Sequence, residues 1–208
     1  MLVIFLVLLI DQTLKFWIKT HLYLGEEIRL AGNWFIIHFT ENPGMAFGME
    51  LGGDYGKLFL SVFRIIAVAG IIWYLNDLIK KKAPSGLIIS MSLILAGALG
   101  NIIDSVFYGV LFTDSSMELG KFLPAAGGYA SLLHGKVVDM LYFPIIQGHF
   151  PSWFPIYGGE SFIFFRPVFN IADSSISIGV GLILLFQSSY FSKKEKKEEE
   201  SLEAQTEL

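Results

Sequence analysis

Apolar residues run in long blocks along this chain, with no strand-like alternation over most of its length. Three blocks are long enough to cross a bilayer, which takes roughly 20 mostly apolar residues. They are Leu58 to Ile79, Leu87 to Tyr108, and Ala172 to Phe191. A fourth, from Met1 to about Ile18, is apolar for ten residues and then carries Asp11, Gln12 and Lys15. It has no basic start and no small-x-small cleavage site, so it reads as a retained span and not a signal peptide. Between the blocks, Trp34 to Thr40 is rich in aromatic and β-branched residues and predicts a short strand.

Lys80, Lys81 and Lys82 put the second join in the cytoplasm by the positive-inside rule, and the lysines after Phe191 put the C-terminus there too. Four spans, about 1–18, 58–79, 87–108 and 172–191, then give two cytoplasmic termini. The segments of about 21–56 and 109–170 face outside. Residues 1–192 read as one membrane-embedded domain. Residues 193–208 read as a charged, disordered tail.

Composition agrees with this pattern. The 208 residues are 53% hydrophobic and 16% charged, where a soluble domain is about a quarter charged. The net charge of −4 gives no reason to expect a nucleic-acid partner. With no cysteine, disulfides and thiolate chemistry are excluded. The four histidines are scattered and suggest no metal site. No cofactor is expected.

The few charges then become informative. An ionisable residue inside a span costs about 3 kcal/mol on insertion scales, so each one needs a reason. Asp11, Lys15, Arg64, Asp104 and Asp173 lie in or at spans. Asp139 lies in a short apolar run expected to turn back toward the membrane. Asp11, Asp104, Asp139 and Asp173 collect near the outer boundary. Asn170, Asp173, Ser174 and Ser177 share one helical face, and Gly97, Asn101 and Asp104 share another. Lys15, four residues after Asp11, can pair with it. Arg64 is expected to snorkel outward.

Polarity alone leaves Asp139 and Asp173 between two roles. They can cap and join helices, or they can do acid–base work on water as a pair sharing one proton. On the second reading Asp139 holds the proton, because Asp173 sits at a helix N-terminus that favours negative charge. A proton-coupled transporter is the rival class, although the carboxylates cluster on one side and line no path. A structural membrane partner is the other.

Five short motifs, in order, carry a resemblance. They are Asp11-Gln12-x-x-Lys15, Asn42-x-Gly44-x-Ala46-Phe47, Gly100-Asn101-x-x-Asp104, Val137-Val138-Asp139 and Phe169-Asn170-x-Ala172-Asp173-Ser174. With them the chain resembles the type II, or lipoprotein, signal peptidases. The resemblance implies four transmembrane helices with a small extracytoplasmic β-cradle and a short helix at the outer surface of the bacterial inner membrane. It implies an aspartic endopeptidase that removes signal peptides from diacylglyceryl-modified prolipoproteins, with cleavage N-terminal to the lipidated cysteine. Asp139 and Asp173 would be the catalytic pair. Asp11, Lys15, Asn42, Asn101, Asp104, Asn170 and Ala172 would surround them, and Gly44 would give a tight turn in a substrate-facing loop. Membrane lipid and globomycin-type inhibitors are the further partners implied, and no oligomeric state is assigned.

The chain departs from the family twice. Ser105 stands where an Arg usually follows the span-three Asp, and Lys136 or Arg166 is expected to restore that charge. The connection from Gly109 to Lys136 is long, and a tolerated surface insertion is expected there.

Overall fold

A computed structural model describes residues 1–43, 53–164 and 167–190. Gly44, Ala46 and Phe47 of the second motif, Arg166 and the charged tail 193–208 lie outside the described residues.

Four long helices dominate: α1 (Leu2–His21), α2 (Gly53–Lys80), α3 (Ser85–Ile103) and α5 (Ile171–Leu185). A π-helical turn over Asp104–Tyr108 and a short α4 (Gly109–Leu111) continue α3, giving one helical rod from Ser85 to Leu111. That rod and the stretch Tyr55–Lys80 are long and apolar enough to cross a membrane; α5 is apolar but shorter. The apolar block that starts at Ala172 is thus not one continuous helix. It breaks at Phe186 before a last turn at 187–190.

The distribution of side chains is the reverse of a soluble protein's. Phe5, Leu9, Phe59, Ile66 and Trp73 are exposed, while Asp11, Lys15 and Asp104 are fully buried. On α1 the charged residues Asp11, Lys15 and Lys19 recur every four positions, and that face turns inward. Outward-facing apolar residues and inward-facing charges suit a protein solvated by lipid.

α3 is the central helix, packed against α1, α2 and α5. Its contacts with α5 and α1 need glycine. A methyl on Gly97 would lie 2.1 Å from the Ala172 carbonyl oxygen, and one on Gly100 would lie 2.7 Å from Asp11 Oδ2. Small residues let the backbones approach.

Four antiparallel strands form the sheet, in the order β1 (Glu27–Ala31), β2 (Phe35–Asn42), β3 (Val137–Tyr142), β6 (Val168–Phe169). The run expected to dip toward the membrane is therefore β3, an inner strand whose first four residues are buried. β-Branched residues and pairing on both sides explain why it extends. A separate hairpin, β4 (Ile146–His149) with β5 (Ser161–Phe164), leaves between β3 and β6.

The stretch from Phe112 to Lys136 is not a loose insertion. Gly135, Leu133 and Ala130 donate backbone hydrogen bonds to the carbonyls of Ser105, Val106 and Gly109. Of these, the Gly109 carbonyl lies in the last turn of the rod, where helix carbonyls otherwise lack partners. Phe112 is buried with Ile18, Phe39, Tyr108 and Val138 in the core beneath the sheet.

Candidate active site

Three chain segments bring the site together: the middle of β3, the first turn of α5 and the last turns of α3. Asp139 sits on β3, 3% exposed. Its Oδ2 accepts from Asn42 Nδ2 at 3.2 Å, and its Oδ1 from Asn170 Nδ2 at 2.7 Å. Asn42 is delivered by the end of β2, the strand paired with β3.

Asn170 caps α5. Its Oδ1 accepts from the Asp173 backbone N–H at 2.9 Å, and its own N–H donates to Asp173 Oδ2 at 3.3 Å. This reciprocal arrangement satisfies two backbone donors at once. Asp173 Oδ1 also accepts from Asn101 Nδ2 at 2.7 Å. Asn170 therefore holds both carboxylates, one by its side chain and one by its backbone.

Burial, and then the negative charge of Asp173, push the Asp139 carboxyl up to about 7. The amides of Asn42 and Asn170 and the charge of Lys15 act in the opposite direction. The two carboxylates are thus electrostatically coupled.

A second layer supports the first. Lys15 Nζ lies 3.0 Å from Asp11 Oδ2, 2.8 Å from Asp104 Oδ2 and 3.0 Å from Asn101 Oδ1. Asp11 Oδ1 accepts from the Ala172 N–H at 2.9 Å, which fixes the start of α5. Asp104 Oδ2 accepts from the Val138 N–H at 3.2 Å, which fixes β3 beside Asp139. Asp11, Lys15, Asn42, Asn101, Asp104, Asn170 and Ala172 thus converge with Asp139 and Asp173. Gly44, the remaining expected position, lies outside the described residues.

Two other residues join the cluster. Gln12 donates to Asp11 Oδ2 at 3.1 Å and to Asp104 Oδ1 at 2.9 Å, and accepts from Tyr108 Oη at 3.2 Å. Its place beside Asp11, three residues before Lys15, was the signal available in the sequence. Arg64 does not snorkel away. Its Nη1 donates to Ser105 Oγ at 3.3 Å.

The expectation that Lys136 supplies the charge missing at Ser105 is corrected here. Lys136 lies 3.3 Å from Glu41 and 3.4 Å from Asp114. Burial works against its charge, but these two carboxylates outweigh it and raise the Lys136 ammonium above its ordinary value. It is held on the sheet's flank, not against Ser105.

Between α2, α3 and α5 lies a cavity of about 230 Å³. Ala67, Val68, Ile102 and Ile176 give it an apolar wall, and Arg64, Asn101 and Asp173 give it a polar end. Among the described residues, no group of three or more His, Asp or Glu is placed to hold a metal ion.

A helical frame with outward-facing apolar side chains, a buried Asp139 and a half-buried Asp173 that lines an apolar cavity is the setting in which the comparisons fall. The pattern of the family described as Signal peptidase (SPase) II matches residues 3–189. The lipoprotein signal peptidase of Porphyromonas gingivalis is 53% identical over 183 residues, covering 88% of this chain and 79% of the relative. That of Amoebophilus asiaticus is 42% identical, covering 86% and 73%. A solved structure described as a bacterial membrane enzyme, at 28% identity, superposes with a TM-score of 0.58 over 88% of each chain. The chain belongs to the signal peptidase II family of membrane proteases, which remove signal peptides from prolipoproteins. A transporter finds no support in these matches.

Proposed function

We propose that Asp139 and Asp173 are the catalytic dyad of this protease. In this reading the ionised Asp173 takes a proton from a water molecule while that water's oxygen attacks the scissile carbonyl carbon. Asp139 gives its proton to the carbonyl oxygen, forming a neutral tetrahedral diol. Collapse of the diol breaks the C–N bond. The amine leaves with the proton taken by Asp173, a diol hydroxyl returns a proton to Asp139, and the signal peptide ends in a carboxyl group. No covalent intermediate forms.

The observation that carries this reading is the Asn170 bridge between the two carboxyls. Burial of Asp139 supports its role as the protonated member. The position of Asp173 in the first turn of α5 faces the positive end of the helix and favours a negative charge there.

The finer assignments follow from the same reading. The substrate is a diacylglyceryl-modified prolipoprotein, cut N-terminal to the lipidated cysteine. Membrane lipid surrounds the enzyme, and the apolar cavity beside Asp173 receives apolar groups of the substrate. Globomycin-type inhibitors would compete at the dyad. The fold is read as four transmembrane helices with the sheet as an extracytoplasmic cradle, in the bacterial inner membrane. The lysines at 80–82 and after Phe191 support cytoplasmic termini and an outward-facing site. Residues 1–192 form one peptidase domain, followed by a charged tail over 193–208.

Separate Asp139→Asn and Asp173→Asn variants test the dyad. Both are expected to fold and insert, yet leave a diacylglyceryl-modified prolipoprotein uncut. Cleavage near the wild-type rate by either one would remove the assignment.

A further inference from the structure

A charge count around the dyad exposes a need that Lys15 does not meet. The groups facing the pair come from every packed element: Asp11 and Lys15 from α1, Arg64 from α2, Asp104 from the π turn, and the pair itself from β3 and α5. An ammonium has three donors. Those of Lys15 face Asp11, Asp104 and Asn101 at 2.8–3.0 Å. Lys15 is therefore committed to two carboxylates before Asp173 is considered.

Arg64 is placed to act on Asp173. It and Asp173 line the same cavity, along with Asn101. Ser105 Oγ accepts from Arg64 Nη1 at 3.3 Å and itself donates to the Asn101 carbonyl at 2.9 Å. The guanidinium is thus tethered to the same turn of α3 whose Asn101 amide holds Asp173.

We propose that Arg64 is a positioning residue of the dyad: delivered from α2 and held by Ser105, its fixed positive charge keeps the Asp139/Asp173 pair singly ionised at working pH. A serine is the right partner for it. Ser105 is small enough to leave room for a long side chain arriving from the neighbouring helix, and it offers an acceptor without adding a charge. An apolar membrane setting strengthens the effect, because the surroundings screen charge weakly. The sign is fixed by electrostatics. A cation favours the ionised pair, so its removal makes every proton in the pair harder to lose.

This inference rests on the dyad reading and is tested separately from it. The experiment is the pH dependence of kcat on a diacylglyceryl-modified prolipoprotein, for full-length enzyme in detergent. Arg64→Gln is expected to move both limbs of the profile upward by about one pH unit, the low end of the effect of an adjacent Arg. KM should change much less than kcat measured below neutrality. Arg64→Lys keeps the charge and should return both limbs close to wild type. Ser105→Ala removes only the tether and should move the limbs the same way by less. It also carries the test if the Gln variant does not accumulate. Limbs that stay in place in both Arg64→Gln and Ser105→Ala overturn the proposal, as does a Lys variant shifted as far as Gln. Cleavage by Asp139→Asn or Asp173→Asn would instead remove the dyad itself. Inactive Asp variants with unmoved limbs in the Arg64 series leave the dyad standing and remove only the role of Arg64.

Discussion

Asn170 Nδ2 donates to Asp139 Oδ1 at 2.7 Å while Oδ1 of the same amide accepts from the Asp173 backbone N–H at 2.9 Å and caps α5. One residue thus sets a distance between a strand and a helix. The two duties can be separated. Serine is as good an N-cap as asparagine, but its side chain is too short to span to Asp139. Asn170→Ser should keep the cap but lose the buried amide's bonds to Asp139, Asn101 and Val138, lowering stability by about 1–3 kcal/mol without unfolding the protein. Prolipoprotein cleavage should fall by about 100-fold, in the range lost when a positioned acid–base group is misplaced. A Ser variant that cleaves like wild type would show that the bridge is not needed.

Asp139 makes stability depend on pH in an unusual direction. Its carboxyl is raised to about 7 in the folded protein. Between the ordinary carboxylate value near 4 and about 7, the folded state holds a proton that the unfolded state has lost. The contribution of this group is therefore full at low pH and declines as pH rises through that window, by at most about 1.4 kcal/mol per pH unit. In Asp139→Asn this slope should disappear. Thermal midpoints of wild type and variant, measured in detergent across the window, should converge at low pH and separate toward neutrality, with the variant the more stable. Parallel curves would count against a raised Asp139.

Most of the helical frame and the site were legible from where scarce charges fell among apolar blocks. The cost of burying Asp11, Lys15 and Asp104 in apolar surroundings makes their positions meaningful without any tertiary information, and helical spacing put Asn101 with Asp104 and Asn170 with Asp173. What the pattern did not reveal depends on contacts between distant segments. Val137–Tyr142 reads as an apolar run, and only pairing with β2 and β6 makes it an inner strand. Arg64 reads as an isolated charge until α2 is packed against α3. The stretch after Leu111 has no periodicity, because its backbone is ordered by carbonyls of the π turn and not by a repeat of its own.

Lys15 offers a stability prediction. It is the cation common to Asp11 and Asp104, all three fully buried. Removing one partner of a buried ion cluster leaves charge uncompensated and costs roughly 3–5 kcal/mol. Lys15→Met should therefore accumulate poorly and unfold well below wild type. Adding Asp104→Asn to that variant neutralises one orphaned carboxylate and should recover part of the loss in thermal midpoint. If the single variant is as stable as wild type, the lysine is not what balances these carboxylates.

The flank of the sheet carries a second buried cation, and it governs the long connection after α4. Lys19 pairs with Glu41 and donates to Ser115 Oγ at 2.8 Å, while Gly120 donates its N–H to the Lys19 carbonyl at 2.9 Å. Lys136 approaches Glu41 from the other side at 3.3 Å and also reaches Asp114. Glu41 therefore ties α1 to Lys136 at the end of the connection, and it directly precedes Asn42, the donor to Asp139. Glu41→Gln keeps the shape and removes the charge that both lysines face. Lys19, fully buried, is left with a hydroxyl and two aromatic faces, Phe112 and Tyr129. The expected cost is again roughly 3–5 kcal/mol. Limited proteolysis should then cut the stretch between Asp114 and Tyr129 sooner than in wild type. A Lys19→Met, Glu41→Gln pair should be less damaged than Glu41→Gln alone, since no unpaired ammonium remains inside. Equal protease resistance in wild type and Glu41→Gln would mean that the backbone bonds to the π turn suffice to hold the connection.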